Sequence, residues 1–529
     1  MALLDVKNLQ VSFHTRNGEV KAVDDVSFTV ESGKITAIIG ESGSGKSVAC
    51  YSLLGLIPMP PGKIEGGQAL FEGQDLLQMS ERQLQKIRGR DIAMIFQDPM
   101  TCLNPYMTIG DQLIEPIVFH KRTSKKEARL RAVELLEEVG LRDPGSTINS
   151  YPHEFSGGMR QRVMIAMALI NEPKLLIADE PTTALDVTIQ AQILKLIAQL
   201  QTKRDIGVIF ISHDLAVVAD IADDIIVMKT GKVVEHNNRQ GIFQNAQHPY
   251  TKKLLSAIPG GTKTINTELH QPLITVSNLN TWFSQGKHQE PVKAVNNVSM
   301  EIRKGEILGL VGESGSGKST IGRSILRLVP ITSGTVDFDG TDVTSLEGAD
   351  LKNMRRRMQM IFQDPYASLN PRMSVYDTLA EPLLLHGIET KASVEKGVLK
   401  LMDDVGLARN FVRKYPHEFS GGQRQRIAIG RALSTHPEFI VADEPVSALD
   451  VTIQAQILDL MLDLGKEYGL TMLFVSHDLA VVKHIADRIV VLYKGEIVEQ
   501  GTGRELFENP QQEYTRQLLQ SIPGQALLA

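Results

Sequence analysis

Two strings of glycine, serine and lysine are the residues of this sequence with the most specific chemistry. The string GESGSGKS occurs at Gly40–Ser47 and again at Gly312–Ser319. Glycines at this spacing let backbone N–H groups surround a polyphosphate, while the lysine reaches the terminal phosphates and the last hydroxyl ligates Mg²⁺. Each string follows an apolar, β-prone run and opens a segment with helical spacing, as this chemistry requires. A chance glycine-rich turn would not recur in that context, so we expect Lys46 and Lys318 to bind ATP.

Pairs of acidic residues follow two further apolar runs, at Asp179-Glu180 and Asp443-Glu444. Adjacent carboxylates raise each other's pKa unless a cation lies between them. We therefore expect Asp179 and Asp443 to hold Mg²⁺, and Glu180 and Glu444 to polarise the attacking water as catalytic residues. A single such pair would more simply be a solvated strand end, but here each pair accompanies a phosphate-binding string.

Two histidines and two glutamines complete the candidate catalytic set. His213 and His477 each follow an apolar run at SHD, which favours contact with the γ-phosphate over a purely structural hydrogen bond. Gln97 and Gln363 follow apolar runs at FQDP. A glutamine there is either a polar strand end or a ligand of the metal and water, and the residues alone leave both open.

These interpretations give two sets of binding residues. The nucleotide set within the two strings is Gly40, Glu41, Ser42, Gly43, Ser44, Gly45, Lys46, Ser47, Gly312, Glu313, Ser314, Gly315, Ser316, Gly317, Lys318 and Ser319, followed by Thr320. The metal set is Ser47, Gln97, Asp179, Ser319, Gln363 and Asp443.

The chain is an internal duplication. The strings FQDP, YPHEFSGG, ALDVTIQAQIL and SHDLAVV each occur twice, at an offset of 272 residues for GESGSGKS, 266 for FQDP and 264 afterwards. One domain of about 260 residues has therefore been copied, so the sequence predicts domains at 1–259 and 273–529. Between them, residues 260–272 are short, polar and punctuated by Gly and Pro, which is typical of a linker.

The pattern of elements predicts the α/β class. Short continuous apolar runs are typical of strands covered on both faces of a parallel sheet, and they alternate with segments of helical spacing. The strands predicted in the first copy are Ile35–Ile39, Ala93–Phe96, Leu175–Ala178 and Val208–Ile211, and the helix after the first of them is predicted over Val48–Leu56. Ser124 and Glu127 predict a capping box at the start of a further helix.

Composition excludes several classes of protein. With 22% charged and 42% hydrophobic residues, the 529-residue chain is not disordered as a whole. A net charge of −6 without a strongly basic half gives no reason to expect a nucleic-acid partner. The two cysteines, Cys50 and Cys102, exclude a disulfide scaffold and a four-thiolate metal site. No apolar run approaches the roughly 20 residues that cross a bilayer, so we expect any membrane association to come through a partner.

The ordered motifs resemble those of the ATP-binding cassette (ABC) family, twice over and along essentially the whole chain. They are GESGSGKS, the Gln of FQDP, FSGG followed by RQR, LLIADEP or FIVADEP, ALD and SHD. The resemblance implies two tandem P-loop NTPase domains. Each would have a RecA-like core, an antiparallel β subdomain and a helical signature subdomain.

In that family the FSGG loop closes over the nucleotide held by the other cassette. The resemblance thus assigns Ser156, Gly157 and Gly158 to the ATP on Lys318. It assigns the following residues to the ATP on Lys46: Ser420, Gly421, Gly422 and Gln423. Asp186 and Asp450 would join the two sites. Phe13 and Phe283, which precede the phosphate strands, are either core residues or stack on adenine.

Finer features resemble the oligopeptide, dipeptide and nickel importers, and among them the fused double ATPases of microcin C-type oligopeptide importers. They are GESGSGKS, IFQDP and the segments His248–Pro259 and Gln512–Pro523. The resemblance implies an ATPase on the cytoplasmic face of the inner membrane, peripheral to it. Its partners would be two transmembrane permease subunits and an extracytoplasmic solute-binding protein, and its two cassettes would pair with each other.

Several alternatives remain at this point. Short peptides lead as the solute, with glutathione, nickel, opines and sugars as alternatives. A tandem-cassette translation factor would need a long charged arm where this chain has only a short linker. The helices of the permeases would dock near Thr101–Phe119 and Ala367–Leu385, although these segments could simply be packed helices of the smaller subdomain.

Two departures from the family pattern have consequences. The four-cysteine segment that relatives often carry after HPYT is missing, so no iron–sulfur cluster is implied. Met159 stands where the signature usually has Gln, whereas Gln423 keeps it. We therefore hypothesise that the site built from Lys318 and Ser156 is the slower one.

Overall fold

A computed structural model describes residues 2–15, 18–98, 102–183, 185–258, 271–284, 286, 290–447 and 449–524. The chain folds into two compact units, which comprise mainly residues 1–258 and 259–522. Most of the predicted linker, residues 260–270, lies outside the described residues. Within the described part, no helix has both the length and the apolar character that a membrane span needs.

The first unit contains ten strands and ten α-helices among its described residues. The strands are β1 (Ala2–Thr15), β2 (Gly18–Glu31), β3 (Ile35–Ile39), β4 (Gly62–Phe71), β5 (Gln74–Asp75), β6 (Ile92–Ile95), β7 (Leu175–Asp179), β8 (Gly207–Ser212), β9 (Asp224–Lys229) and β10 (Lys232–Asn238). The helices are α1 (Lys46–Leu53), α2 (Glu81–Ile87), α3 (Ile109–Lys121), α4 (Lys125–Glu138), α5 (Pro144–Thr147), α6 (Gly157–Leu169), α7 (Val187–Arg204), α8 (Leu215–Ile221), α9 (Arg239–Asn245) and α10 (Pro249–Ser256).

The second unit repeats this order of strands and nearly repeats the order of helices. Its strands are β11 (Pro272–Phe283), β12 (Val292–Arg303), β13 (Ile307–Val311), β14 (Ser333–Phe338), β15 (Thr341–Asp342), β16 (Met358–Ile361), β17 (Phe439–Asp443), β18 (Thr471–Ser476), β19 (Arg488–Tyr493) and β20 (Glu496–Thr502). Its helices are α11 (Lys318–Ile325), α12 (Gly348–Arg357), α13 (Pro365–Ser368), α14 (Val375–Leu385), α15 (Val394–Asp404), α16 (Gly421–Leu433), α17 (Val451–Tyr468), α18 (Leu479–Ile485), α19 (Gly503–Glu508) and α20 (Glu513–Gln520).

Each unit is built on a six-stranded sheet. The strand order is β10-β9-β3-β8-β7-β6 in the first unit and β16-β17-β18-β13-β19-β20 in the second. All neighbours are parallel except β9 with β10 and β19 with β20. The central strands are buried along their full length because helices and a second sheet cover both faces, which explains their continuous apolar sequences.

A smaller antiparallel sheet and a helical part flank each main sheet. The small sheets have the orders β2-β1-β4-β5 and β12-β11-β14-β15. In the first unit the helical part comprises α3 to α6, of which α3, α4 and α6 share one apolar cluster with the main sheet. The predicted α/β class, with a core, an antiparallel sheet and a helical part in each copy, is confirmed.

Local sequence signals explain several helix boundaries. Helix α4 begins with the predicted capping box, in which the Ser124 hydroxyl and the Glu127 carboxylate each accept a backbone N–H of the other residue. The helix predicted over Val48–Leu56 was placed too late, because α1 already begins at Lys46 and ends at Leu53. Gly55 has a φ of +61°, a left-handed conformation that ends the helix although apolar residues continue past it.

Candidate functional site

The predicted site residues of each unit follow neighbouring strands of the main sheet. In the first unit Ile39 of β3 pairs with Ser212 of β8, and Asp179 of β7 pairs with Ile211 of β8. Because the carboxyl ends of parallel strands meet at one edge of the sheet, the phosphate loop, the acidic pair and His213 begin side by side. The equivalent strands β13, β17 and β18 have the same relative register.

The phosphate loops require glycine at their first position. Gly40 has a φ of +153°, and a Cβ atom built on it would lie 2.2 Å from the Met228 carbonyl oxygen. Gly312 repeats this with a φ of +155° and the same 2.2 Å approach to the Leu492 carbonyl. Any side chain there would push the loop off the neighbouring strand, so the backbone could not turn toward a phosphate.

Both loop lysines are buried and fold back on their own loops. Lys46 Nζ donates to the first two carbonyl oxygens of its loop at 2.7 and 3.0 Å. Lys318 Nζ does the same at 2.8 Å for each oxygen, and burial lowers the pKa of this ammonium group. The lysine of each loop is thus held next to the backbone that would surround a polyphosphate.

The serine that ends each string contacts the first carboxylate of the acidic pair. Ser47 Oγ donates to Asp179 Oδ1 at 2.9 Å, and Ser319 Oγ donates to Asp443 Oδ1 at 2.7 Å. Burial raises the pKa of both aspartates, which means that each carboxylate lacks the solvation it would have in water. Asp443 Oδ2 is buried without a hydrogen-bond partner. A hydroxyl and an undersolvated carboxylate at this spacing fit the oxygen ligands of Mg²⁺.

The two aspartates have different neighbours on the helix that follows the loop. Tyr51 of α1 lies near enough to Asp179 for the two groups to shift each other's pKa, whereas Arg323 of α11 lies with Nη2 3.8 Å from Asp443 Oδ2. Burial and the Asp179 charge raise the pKa of Tyr51, so this phenol stays neutral. The metal candidate of the first unit therefore faces a neutral group, and that of the second faces a cation.

The second carboxylate of each acidic pair is held by the predicted glutamine and histidine. In the first unit Gln97 Nε2 donates to Glu180 Oε2 at 2.8 Å, and His213 Nδ1 lies 3.0 Å from Glu180 Oε1. Thr183 Oγ1 adds a third donor at 3.1 Å. The structure therefore brings together four residues drawn from three separate segments between positions 97 and 213 of the sequence.

The second unit reproduces this arrangement with one change. Gln363 Nε2 donates to Glu444 Oε2 at 2.9 Å, and His477 Nδ1 lies 3.1 Å from the same oxygen. Ser447, which stands where the first unit has Thr183, donates to the Glu444 backbone carbonyl instead of the carboxylate.

Both glutamates have a left-handed backbone, with a φ of +46° at Glu180 and +45° at Glu444. A non-glycine residue in this region is uncommon and costs about 1 kcal/mol or more. The conformation is held by the glutamate N–H, which donates to the Ile211 carbonyl in the first unit and to the Val475 carbonyl in the second, at 2.9 Å each. It turns each side chain from the strand end toward the histidine.

Each glutamate and histidine shift each other's pKa. Burial lowers the pKa of His213, but the hydrogen bond and charge of Glu180 raise it by more, so it lies above its ordinary value. Burial raises the pKa of Glu180, but His213, Thr183 and Lys46 together lower it by more, so it lies below its ordinary value. The same directions hold for His477 and Glu444, with Lys318 as the second cation near that glutamate. Each pair therefore favours a carboxylate with an imidazolium, and the glutamate has the charge that a general base needs.

The signature residues begin helices, as a site for an anion would require. Ser156 and Ser420 are the N-caps of α6 and α16, and each hydroxyl accepts the N–H three residues ahead at 3.4 Å. In the second unit Gln423 Oε1 also accepts the Ser420 N–H at 3.1 Å. Met159 has no such acceptor, so only the second unit has a complete capping box here.

The glycines of the signature allow close packing on the next helix. A Cβ atom on Gly158 would lie 2.7 Å from Ile189 Cγ2, and one on Gly422 would lie 2.3 Å from Ile453 Cγ2. Gly157 and Gly421 have ordinary spacing to Leu side chains. Among the described residues, the hydrogen bonds that tie the phosphate loop, acidic pair, glutamine and histidine of each unit together do not include that unit's signature residues.

The two aromatic candidates for adenine stacking lie at the ends of strands in the small sheets. Phe13 of β1 is half-buried against the core of the first unit. Phe283 is the last residue of β11 and is 41% exposed. Their role remains a prediction.

A cavity of about 480 Å³ in the first unit is lined in part by Phe96, the residue before Gln97. Methionine and phenylalanine side chains make up much of its wall, including Met94, Phe96, Met164, Met167 and Phe119. Phe119 is 65% exposed, which is high for a ring of this size. At the position equivalent to Met167, the second unit has Arg431, whose Nη1 donates to the Ser368 carbonyl at 2.5 Å.

Sequence reasoning missed the residues that touch this site from outside the motifs. Tyr51 and Arg323 lie one helical turn beyond the phosphate-loop serine, at a position where the two copies differ. Tyr250 and Tyr514 accept hydrogen bonds from the phosphate loops. The repeated YT of HPYT and QEYT was a signal for the last two, but nothing in the sequence indicated their partner.

Comparison with known proteins identifies two families of sequence in this chain. The family described as "ABC transporter" matches residues 23–183 and 295–447. The family described as "Oligopeptide/dipeptide transporter, C-terminal region" matches residues 234–284 and 498–526.

Curated relatives match along almost the whole length. The glutathione import ATP-binding protein GsiA of Pectobacterium atrosepticum is 46% identical over 557 residues, covering 98% of this chain and 89% of that protein. The peptidoglycan transport ATP-binding protein YejF of Agrobacterium fabrum is also 46% identical, covering 98% of this chain and 96% of that protein. A solved dimer of the ATP-binding cassette MJ0796, bound to ADP and Pi, is 32% identical over 44% of this chain and 99% of that chain, with a TM-score of 0.41. The family matches and the two full-length relatives confirm the resemblance seen in the motifs: the chain belongs to the ABC transporter family, as an ATP-binding subunit with two cassettes and the C-terminal region of oligopeptide/dipeptide transporters.

Proposed function

We propose that this protein is the ATP-hydrolysing motor of an importer for short peptides. The observation that carries the proposal is the same constellation in both units: a phosphate-loop lysine and serine, an aspartate on that serine, and a glutamate held by glutamine and histidine. The relatives supply the solute class, because the name of one specifies glutathione, a tripeptide, and that of the other peptidoglycan. The sequence prediction of a peptide importer is consistent with both.

The chemistry at each site follows from the side chains. The phosphate loop binds the ATP polyphosphate, and the lysine leaves its backbone carbonyls for the terminal phosphates. Ser47 with Asp179, and Ser319 with Asp443, would hold Mg²⁺, which would supply positive charge to offset that of the phosphates. Glu180 and Glu444 are the general bases that orient and deprotonate water, since each is ionised at the end of a buried strand. Gln97 and Gln363 position that water, and His213 and His477 stabilise charge on the γ-phosphate.

The two cassettes, at 1–259 and 273–529, work as a pair. In this proposal Ser156, Gly157 and Gly158 close over the ATP on Lys318, and the equivalent residues of the second cassette close over that on Lys46. The helix N-termini that these serines cap supply backbone N–H groups suited to a γ-phosphate. We expect Asp186 and Asp450 to belong to the loops that join the two ATP sites.

The apolar cavity of the first unit supports docking of a permease subunit. An exposed phenylalanine and several methionines form a surface that accepts a bulky apolar side chain from a partner helix. Phe96 of its wall directly precedes Gln97, so a docked partner would lie one residue from the site. The protein would thus sit on the cytoplasmic face of the inner membrane, with two permeases and an extracytoplasmic binding protein.

Uptake by cells that lack the chromosomal gene tests this function. We expect wild-type protein to restore uptake of a labelled tripeptide, while the Lys46→Ala and Lys318→Ala variants do not, because each loses its phosphate contact. Lys7→Ala, which changes an exposed lysine of β1 outside both the proposed site and the proposed docking segments, is the matched control. If the wild-type protein restores uptake of nickel but not of the tripeptide, the solute is a metal ion and not a peptide. Normal uptake with both lysines replaced would show that the protein is not the ATP-hydrolysing motor.

A further inference from the structure

A tyrosine from the C-terminal region of each unit contacts the phosphate loop. The Glu41 N–H donates to Tyr250 Oη at 3.1 Å, and the Glu313 N–H donates to Tyr514 Oη at 3.3 Å. Both tyrosines belong to the segments matched by the oligopeptide/dipeptide C-terminal family. The same contact thus occurs in both copies, although His248 precedes the helix in one and Gln512 in the other.

The peptide that donates to the tyrosine also holds the lysine. Because a peptide unit is planar, the Gly40 carbonyl and the Glu41 N–H turn as one body. Lys46 Nζ donates to that carbonyl at 2.7 Å, so Tyr250 and Lys46 bind opposite edges of one plane. In the second unit Lys318 Nζ donates to the equivalent carbonyl at 2.8 Å. Glycine precedes the plane in both loops and offers little resistance to its rotation, so the tyrosine fixes its orientation.

Each tyrosine is itself firmly held. In the first unit the Glu235 carboxylate of β10 accepts the Gln247 and His248 N–H groups at 2.7 and 3.1 Å, which fixes the start of α10. Tyr250 is 5% exposed, and Lys229 Nζ lies 4.8 Å from its ring centre. The loop peptide is therefore tied through one hydroxyl to an edge strand of the main sheet.

The second unit holds its tyrosine by related contacts. Glu499 of β20 accepts the Gln511 and Gln512 N–H groups at 2.7 and 3.1 Å. The Tyr514 ring lies 4.3 Å, centre to centre, from that of Tyr493. Burial raises the pKa of Tyr514, so its hydroxyl remains a neutral acceptor for the loop.

We propose that Tyr250 and Tyr514 are positioning residues for ATP binding, which hold the first peptide of each phosphate loop and so link the C-terminal region to nucleotide affinity. The inference deepens the proposed function and rests on it, because it concerns the same ATP sites. Neither tyrosine touches the reacting atoms. Their loss weakens binding without changing the chemical step, because the loop must then order itself when the polyphosphate enters.

The test is steady-state ATPase kinetics of the full chain carrying both Tyr250→Phe and Tyr514→Phe. We expect KM for ATP to rise about three- to tenfold, the ratio that one hydrogen bond supports, while kcat stays within about twofold. Equilibrium binding of ATP to the same variant, made in the Glu180→Gln and Glu444→Gln background, should weaken by the same factor. The single phenylalanine variants show whether one loop accounts for the effect.

Tyr468→Phe is the matched control. Its hydroxyl donates to Asp404 at 2.6 Å, away from the phosphate loop, so the change also removes one tyrosine hydrogen bond. We expect the control to lower Tm without moving KM. Unchanged KM in the double variant, or a loss confined to kcat, overturns the positioning role. If the wild-type chain does not bind ATP at all, the proposed function is wrong. The measurement on the wild-type chain shows this without any of the variants.

Discussion

Asp179 of the first unit lies against the neutral phenol of Tyr51, whereas Asp443 of the second lies 3.8 Å from the guanidinium of Arg323. The serine contacts of the two aspartates are otherwise the same. Likewise, each glutamate binds its glutamine and histidine, but Thr183 adds a donor only to Glu180. The contacts that would meet the ligand are thus duplicated, while their immediate neighbours differ. The two sites are built for one reaction under different electrostatic conditions.

A second difference lies at the position of Met167. The first unit has Met167 in the wall of an apolar cavity, and the second has Arg431 bound to the Ser368 carbonyl. Burial lowers the pKa of Arg431, opposed by the charge of Glu381. An apolar side chain of a partner can fill the cavity of the first unit. The same side chain placed against the equivalent surface of the second unit would remove water from Arg431. The units therefore present different surfaces although their sites agree.

The largest expected effect separates the two sites by their glutamates. Glu180→Gln and Glu444→Gln together should lower ATP turnover by about 10² to 10⁴-fold, because a neutral amide cannot accept the proton of the water. If the Lys318 site is the slower one, Glu444→Gln alone should leave more residual activity than Glu180→Gln alone. Measured kcat of the three variants decides this. Equal residual rates would remove the asymmetry, and full activity of the double variant would refute the catalytic assignment.

The glutamate–histidine pairs should respond alike in both units. A raised histidine pKa stabilises the fold fully below about pH 6.5 and less as pH rises through the folded-state pKa. A lowered glutamate pKa stabilises it above about pH 4.3, and this is lost as pH falls through the lower folded-state value. His213→Gln or His477→Gln should therefore cost about 1–3 kcal/mol near pH 6 and less near pH 9. Thermal unfolding measured near pH 6 and near pH 9 checks this. An equal loss of stability at both pH values would show that the histidine and glutamate are not a charged pair.

Removing the cation of the second unit should move one pH limit. Arg323→Met takes away a charge that lowers the pKa of Asp443, so the carboxylate should protonate at a higher pH. In the Glu180→Gln background, where only the second site turns over, the acid limb of the kcat profile should shift upward. Arg323→Lys keeps the charge and should retain the wild-type profile. An unshifted limb in Arg323→Met would show that the arginine does not act on Asp443.

The smallest effect concerns the start of the signature helix. Met159→Gln gives the first unit the acceptor that completes a capping box, and Gln423→Met removes it from the second. We expect about 0.5–1 kcal/mol of stability gained and lost, respectively. Differential scanning calorimetry measures both changes. If the slower-site hypothesis holds, Met159→Gln should also reduce the difference in residual ATPase rate between the Glu180→Gln and Glu444→Gln variants. An unchanged difference would show that the cap affects stability but not turnover.

Sequence patterns predicted the parts of the fold that depend on local rules. The bounds of β3 were predicted correctly, because a continuous apolar run ends at a glycine loop. The contacts of Glu180 with Gln97 and His213 fit the expectation that these residues follow parallel strands, whose carboxyl ends meet at one edge. The capping box of Ser124 and Glu127 needs only residues close in sequence.

Other features depend on packing between distant segments. Tyr250 contacts Glu41, which lies 209 positions earlier in the sequence. Its helix, α10, comes after the last strand of the main sheet in the chain but brings the tyrosine to the phosphate loop. No spacing rule encodes such an approach. The positive φ of Glu180 also depends on a distant segment. Glutamate has no intrinsic preference for this conformation, and the hydrogen bond from its N–H to the Ile211 carbonyl stabilises it.

The hydrogen bonds within each site have a consequence for turnover. The lysine binds loop carbonyls, the serine binds its aspartate, and the glutamate binds histidine and glutamine. An incoming nucleotide must exchange these internal bonds for its own, so the number of hydrogen bonds changes little and affinity stays moderate. On departure of the products the side chains return to partners within the same unit. Each site can thus return to the same internal hydrogen bonds after every turnover.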